Sequence, residues 1–428
     1  MAIKMHFLRI SLLIAFIFLG ISQTNAQDKI TQYIVKNKIN SKEQQKKPYV
    51  ILISADGFRH DFIEKHNAIN LKRLSEKGVR ANSMSPSFPS LTFPNHYTLA
   101  TGLLPQNHGI VNNNFYDKKL KVKYSPSDTS LVRNGNIYGG TPLWVLAEQQ
   151  NMLSASYFWI GSEAAIKNIK PTYSYHYKKG TPLNERINTV LDWLNLPEDR
   201  RPHLITFYID EPDASGHAFG PNAQTITNVV KQIDEEINRL TEAVKKTGLP
   251  VDFIFVSDHG LTEIDREAPI NLSKELSQTG LYSVSTGFIT NIFVDDLMDT
   301  TEIYNKFKNK GQYYKTYLKK DFINEFNFAG SNDADNRIGD IILVAEWPKV
   351  FASTTPSPGA HGYDPLKVKD MEATFLAWGP SFKEGIRINT FKNIHIYPLV
   401  AKLLGLQITD KIDGELKVLE PILKQNKE

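Results

Sequence analysis

The sequence predicts an α/β fold, a mainly parallel central sheet with helices on both faces. Three apolar runs have the length and the β-branched or aromatic content of buried strands: YVILISA (residues 49–55), HLITFYI (203–209) and FIFV (253–256). Between them, NLKRLSEKGV (70–79) and TITNVVKQIDEEINRLTEAVKKTG (225–248) space apolar residues at three and four and stop near Gly. Strand and helix therefore alternate, which builds a sheet covered on both sides. At 428 residues the chain can bury a large core and carry insertions.

Taken in order, the N-terminus has Lys4 and Arg9 bordering an apolar run over 7–21, then SQTNAQ with small Ala26 at a cleavage point. The run falls short of the roughly 20 residues that a spanning helix needs, so residues 1–26 are expected to be a removable secretory signal that leaves no membrane span. The count of zero cysteines excludes a disulfide framework. Together these features fit an exported bacterial protein, periplasmic or secreted. Residues 27–47 are polar and Lys-rich, ending KEQQKKP, and are expected to be a solvated lead-in to a domain over 48–428. Mixed helix and strand signals over about 262–350, including IGDIILVAEW, predict an inserted small subdomain. After it, MEATFLAWGPSF and NIHIYPLVAKLLGL return to the sheet and close with a helix. A formal charge of +4 gives no argument for a stable nucleic-acid partner, and a small molecule is the expected one.

Each apolar run is followed by acids: Asp56 after the first, Asp210, Glu211 and Asp213 after the second, Asp258 after the third. In a parallel sheet these ends share one rim, where α/β folds bind ligands. Acids so placed repel one another unless a cation lies between them. Histidines accompany them: His217 four residues after Asp213, His259 next to Asp258, and His361 in PGAHGYD. Six N/O ligands divide into two sites of three, and three protein ligands with an open position suit a catalytic zinc. Two Zn²⁺ per chain are expected, although Mn²⁺ or Fe also accepts this mixture.

The stretch SPSFPSLTFPNHYTLATGLLPQNHG (85–109) puts Pro94 in the first turn of a helix and Thr92 at or near its N-cap, with Gly102 as the stop. Capping alone explains a Thr there. A neighbouring metal ion and the helix N-terminus would also favour its alkoxide, so the same hydroxyl can cap and attack. Asn113, in HGIVNNNFYD, offers a neutral amide donor for a substrate or transition-state oxygen. No arginine lies within the Thr92 motif, while Arg59, three residues after Asp56, can come close in space.

ISADGFR, FPSLTFPNHYTLATGLLPQNHGIVNN, WIGSE, PTY, YIDEPDASGHAFGP, VSDHG and GAHGYDP occur in this order. Over about residues 49–406 the chain resembles the ectonucleotide pyrophosphatase/phosphodiesterase family of the alkaline phosphatase superfamily, in its single-domain form. The resemblance implies an alkaline-phosphatase-like fold and zinc-dependent hydrolysis of phosphodiester or pyrophosphate bonds in nucleotides, releasing nucleoside 5′-monophosphates through a phospho-threonine. It implies that Thr92 is the nucleophile and Asn113 the oxyanion-side donor. Asp213, His217 and His361 match the ligands of one zinc; Asp56, Asp258 and His259 match those of the second, which also contacts Thr92. Phe93 and Tyr208 match a nucleobase slot, and Tyr173 lies in a segment similar to one bordering it. The alternatives are a phospholipid head-group phosphodiesterase, a phosphomonoesterase of the superfamily, and an exported zinc-binding protein without turnover. The last has no use for Thr92 beside six ligands.

Overall fold

The computed structural model describes residues 30–295, 297–308, 313–326, 328 and 337–425, so the expected signal over 1–26 lies outside them. The chain divides into two compact units, Met1–Gln32 and Tyr33–Glu428, and every candidate site residue belongs to the second. No helix among the described residues is long and apolar enough to cross a membrane.

The strands that matter are β1 (Tyr49–Ala55), β2 (Val79–Ala81), β3 (Ser154–Tyr157), β4 (Tyr173–Tyr175), β5 (Leu204–Ile209) and β6 (Val251–Val256), then β7 (Tyr282–Ser285), β8 (Ile289–Phe293), β9 (Tyr314–Leu318), β10 (Ile341–Ala345), β11 (Phe375–Trp378) and β12 (Ile386–Ile388). Eight neighbours of the central sheet run β4-β3-β5-β1-β6-β11-β2-β12. All adjacent pairs from β4 to β6 are parallel; β11 alone runs against both neighbours. Strand β1 is buried along its whole length, as a strand covered on both faces must be.

Six helices frame this sheet: α1 (Ile69–Glu76), α2 (Thr92–Thr101), α3 (Leu183–Leu194), α4 (Asp213–Phe219), α5 (Gln224–Thr247) and α6 (Ile396–Leu404). Helix α5 packs on α1, α3 and α4, and α6 packs on α2. The α5 stripe Ile226, Val230, Ile233, Ile237, Leu240 and Val244 is buried at helical spacing, and the helix stops at Gly248 in the left-handed conformation, φ 71°. Asp234 on the same stripe accepts from the backbone N–H of Asn70 (3.1 Å) and Leu71 (2.6 Å), so α5 supplies the carboxylate that the N-terminus of α1 lacks. The predicted helix over 70–79 ends earlier, because Val79 pairs with Ala377 and begins β2.

Two residues of the polar stretch before Pro48 are anchored to the domain. Asn40 is buried: its amide donates to the carbonyls of Glu198 (3.0 Å) and Arg201 (2.7 Å) and accepts from Leu153 N–H (2.7 Å). The buried Gln44 donates to Gln150 O, so residues 40–47 clasp the strand ends opposite the acids. Between β6 and β11, the strands order β7-β8-β10-β9 in a separate antiparallel sheet. Its buried side chains, among them Ile292, Ile341 and Leu343, belong to the same continuous apolar cluster as β1 and β6, so this sheet has no core of its own.

Candidate active site

The parallel register sets the site. Ala55 pairs with Ile209 and Ser54 with Val256, so β1, β5 and β6 end side by side and Asp56, Asp210 and Asp258 leave the sheet on one rim. Pro212 then starts α4, whose short length carries Asp213 and His217 on one face. Gly57, at φ +69°, lets these segments close: a Cβ there would lie 2.9 Å from the Asp213 Cβ. Its N–H donates to Asp258 Oδ1 (3.2 Å), and the Asp213 N–H donates to Asp56 O (3.0 Å).

Oxygen and nitrogen atoms of Asp56, Asp258 and His259 fall within 4.8 Å of one another, as do those of Asp213, His259 and His361. His217 Nε2 adjoins the second group, 3.4 Å from Asp213 Oδ2 and 3.1 Å from His361 Nε2. All six predicted ligands are thus brought together, with His259 between the two sets. The Nδ1 of His217, His259 and His361 sits 2.9 Å from the carbonyls of Gly359, Gly260 and Ser90 respectively. A carbonyl only accepts, so each Nδ1 donates and each neutral ring turns an unprotonated Nε2 into the site. Asp56 Oδ1, Asp213 Oδ1 and Asp258 Oδ2 are buried without a hydrogen-bond partner. Facing nitrogen lone pairs and unpartnered buried carboxylate oxygens are what a cation satisfies, so these residues fit a metal pair. Burial, then the charges of Asp258 and Asp213, push the Asp56 carboxyl well above the ordinary range, and burial with His259 and His217 holds His361 well below its own.

Helix α2 begins at Thr92, with Leu91 as its N-cap in extended conformation and no side-chain cap bond. Thr92 therefore takes the first helical position and does not cap, which corrects one role expected of it. Its Oγ1 is instead 3.3 Å from His259 Nε2. The Phe93 N–H of that helix end donates to Asn113 Oδ1 (2.9 Å). With its oxygen so occupied, the Asn113 amide keeps its NH₂ for another acceptor. His96, one turn on from Thr92, is fully buried, with Nδ1 2.9 Å from Thr92 O and 3.3 Å from Asp258 Oδ2. Its Nε2 lies 2.9 Å from Ser54 Oγ, so it ties the helix end to the end of β1; sequence analysis did not single it out, and its place four residues after Thr92 was the available signal.

Residues 50–364 match the model of the type I phosphodiesterase/nucleotide pyrophosphatase family. The chain belongs to this family. Venom phosphodiesterase 2 of Crotalus adamanteus is 36% identical over 384 residues, covering 84% of this chain and 45% of the relative. Ectonucleotide pyrophosphatase/phosphodiesterase family member 1 of Homo sapiens is 33% identical over 377 residues, with 84% and 40% covered. The chain spans less than half the length of these curated relatives. The solved structure of murine ectonucleotide pyrophosphatase/phosphodiesterase 5 superposes with a TM-score of 0.81 at 26% identity, covering 88% of this chain and 100% of that one. A second structure of the murine protein, an inactive variant with one threonine replaced by alanine, is a complex with AMP and superposes with a TM-score of 0.82 at 25% identity, over the same shares of both chains.

Against this family's pattern, the three aromatic residues separate. Phe93 is partly exposed beside Thr92. Tyr208 is 8% exposed, and its hydroxyl donates to Asp56 Oδ2 at 2.7 Å, so it supports a metal ligand. Tyr173 is removed from the site. It pairs with Ala155, which pairs with Ile205, four residues before the end of β5 at Ile209. At ~3.3 Å per residue that leaves it about 13 Å from the rim, and its hydroxyl donates to Arg200 O. Tyr177 instead reaches the rim: 46% exposed, it donates to Asp210 Oδ2 at 3.3 Å, with its ring centre 6.3 Å from that of Tyr208. PTYSYHY offers three tyrosines at alternate positions, and a period of two cannot choose among them. Arg59 is committed elsewhere, to Asp61 (2.6 Å), Asp370 (3.1 Å) and Leu261 O (3.1 Å).

Proposed function

We propose that this protein hydrolyses phosphodiester or pyrophosphate bonds in nucleotides, through a phospho-threonine at Thr92. The observation that carries this is the Thr92 hydroxyl, free of capping duty, 3.3 Å from His259 at the meeting of the two ligand sets. In the first step Thr92 Oγ1 attacks phosphorus in line, a P–O bond to threonine forms, and the bond to the departing oxygen breaks as that group takes up a proton. Water then attacks the phospho-threonine, Thr92 regains its proton, and a nucleoside 5′-monophosphate leaves with retention at phosphorus. The Asn113 NH₂ donates to a non-bridging oxygen as its charge grows. Two Zn²⁺, one on Asp213, His217 and His361 and one on Asp56, Asp258 and His259, would supply Lewis acidity toward those oxygens. AMP in the threonine-replaced murine relative supports the nucleotide assignment.

The domain is read as 48–428 with an inserted subdomain over about 262–350 that carries β7–β10, exported behind the N-terminal apolar run. The venom and ectoenzyme names of its relatives accord with export.

A dianionic monoester calls for a bidentate arginine, and Arg59 is spent on Asp61 and Asp370. The enzyme is expected to cleave p-nitrophenyl thymidine 5′-monophosphate at least tenfold faster than p-nitrophenyl phosphate. Preference for the monoester overturns the diesterase reading.

A further inference from the structure

We propose that Arg337, outside the catalytic rim and four residues before β10, is a positioning residue for the reaction, holding the Asn113 amide where charge grows on a non-bridging oxygen. The inference rests on the hydrolase reading above and adds to it the side chain that aims its oxyanion donor. Asn113 is the midpoint of the segment 109–117, and both ends of that segment meet in one guanidinium. Arg337 Nη1 donates to Gly109 O (2.5 Å) and its Nε donates to Asp117 Oδ2 (2.8 Å). Gly109 and Asp117 each lie four residues from Asn113, so the guanidinium closes the segment into a loop with the amide in the middle. A further bond from Nη1 to Ile137 O (2.8 Å) fixes the guanidinium from a third direction.

Three acceptors in different directions suit the planar fork of a guanidinium and not the point charge of a lysine. Arg337 and Asp117 are both buried, and a buried pair contributes little net stability, so what it provides here is a fixed geometry. The approach is close: a Cβ on Gly109, at φ +84°, would lie 2.7 Å from Nη1. Arg337 is itself held, because the Gly339 N–H donates to Asn291 Oδ1 (3.0 Å), the Asp340 N–H donates to Ile292 O (2.8 Å) on β8, and Asp340 also takes Lys118 Nζ (2.7 Å). A second route reaches the same amide. The Phe115 ring lies 4.9 Å from the guanidinium and stacks on Tyr124 (4.7 Å), which meets Phe93 edge-on (6.2 Å). Phe93 N–H is the donor that orients Asn113 Oδ1. One arginine thus bears on Asn113 from both ends of its loop and through the residue that turns its amide.

The test is a double-mutant cycle read with p-nitrophenyl thymidine 5′-monophosphate. Arg337→Lys keeps the charge and loses the fork. It is expected to lower kcat at least tenfold while KM changes less than threefold, because a misplaced donor is missed in the transition state more than in the bound ester. In an Asn113→Ala background the same substitution should change kcat less than twofold, whereas an arginine with a structural role alone would lower kcat by the same factor in both backgrounds. Asp117→Asn, which leaves the guanidinium its carbonyl partners, should reproduce the pattern at smaller amplitude. Thermal melting confirms the fold of each variant, and Asp117→Asn carries the test if Arg337→Lys does not fold. Equal losses in the two backgrounds, a loss confined to KM, or a kcat unmoved by the folded variants overturns the inference and leaves the hydrolase reading standing. If the parent enzyme does not cleave the ester, both fall.

Discussion

The Thr92 hydroxyl oxygen lies 3.3 Å from Nε2 of His259, and the helix that Thr92 opens has no side-chain cap for it to lose. Thr92→Ala is therefore expected to abolish turnover, below one part in a thousand, while changing stability by no more than about 0.5 kcal/mol, the scale of a helix-propensity change. Thr92→Ser should retain measurable activity. Steady-state rates beside thermal melts check this, and wild-type turnover by the alanine variant would remove Thr92 from the chemistry.

Three unpartnered buried carboxylate oxygens, on Asp56, Asp213 and Asp258, predict that metal holds the rim together as well as serving the reaction. Elemental analysis should find close to two zinc ions per chain. Dialysis against chelator should lower both activity and Tm, because an ion at 100 times its Kd adds about 2.7 kcal/mol to the folded state. Trace metal content with chelator-resistant activity and an unchanged Tm would contradict the assignment.

Tyr208 and Tyr177 should separate in kinetics. Tyr208→Phe removes the hydrogen bond to Asp56 and is expected to weaken metal binding roughly tenfold, as the loss of a group orienting a metal ligand does. Tyr177→Ala is expected to raise KM for nucleotides but not for bis-p-nitrophenyl phosphate, since stacking on a base contributes about 1–3 kcal/mol. Metal titration of the first variant and paired substrates for the second decide the point; matching losses on both substrates would make Tyr177 a packing residue.

His108 predicts a defined acid sensitivity. Its Nδ1 accepts from Ile110 N–H (3.1 Å), its Nε2 faces Pro94 O (3.2 Å), and burial pushes its pKa down to about 3. The folded pKa lies below the unfolded value of about 6.5, so the unfolded chain binds the additional proton. The stability from neutral His108 is complete above about pH 6.5 and is lost as pH falls toward 3, at up to about 1.4 kcal/mol per unit. Denaturation midpoints at pH 7, 5 and 4 should fall less steeply for His108→Gln than for the parent; parallel slopes would refute this.

The parts of the fold legible in sequence were those fixed by local chemistry. The seven residues from Tyr49 to Ala55, apolar but for Ser54, read as a strand buried on both faces, and an acid directly after such a strand lies on its C-terminal rim. What escaped depends on distant partners. Asn40 looks solvated until Glu198 and Arg201 present their carbonyls to it. Thr92 looks like a cap until Asn113, 21 residues later, accepts from the Phe93 N–H of the helix end in its place. Tyr173 and Tyr177 share a strand-like alternation, and only the register of β4 against β3 shows which one stops short of the rim. The chemistry of Tyr208 was visible as an aromatic but not as a donor, because Asp56 is brought to it by strand pairing between β1 and β5.

The candidate ligands run from Asp56 to His361, and only Asp213 with His217 and Asp258 with His259 are neighbours in sequence. Any one segment of the chain thus carries two of the ligands at most, too few by itself to enclose an ion. His361, which completes the set begun by Asp213 and His217, follows strands β7–β10 in sequence, and its Nδ1 donates to Ser90 O. An ion bound by all three of these ligands would therefore report that segments distant in sequence have already packed together.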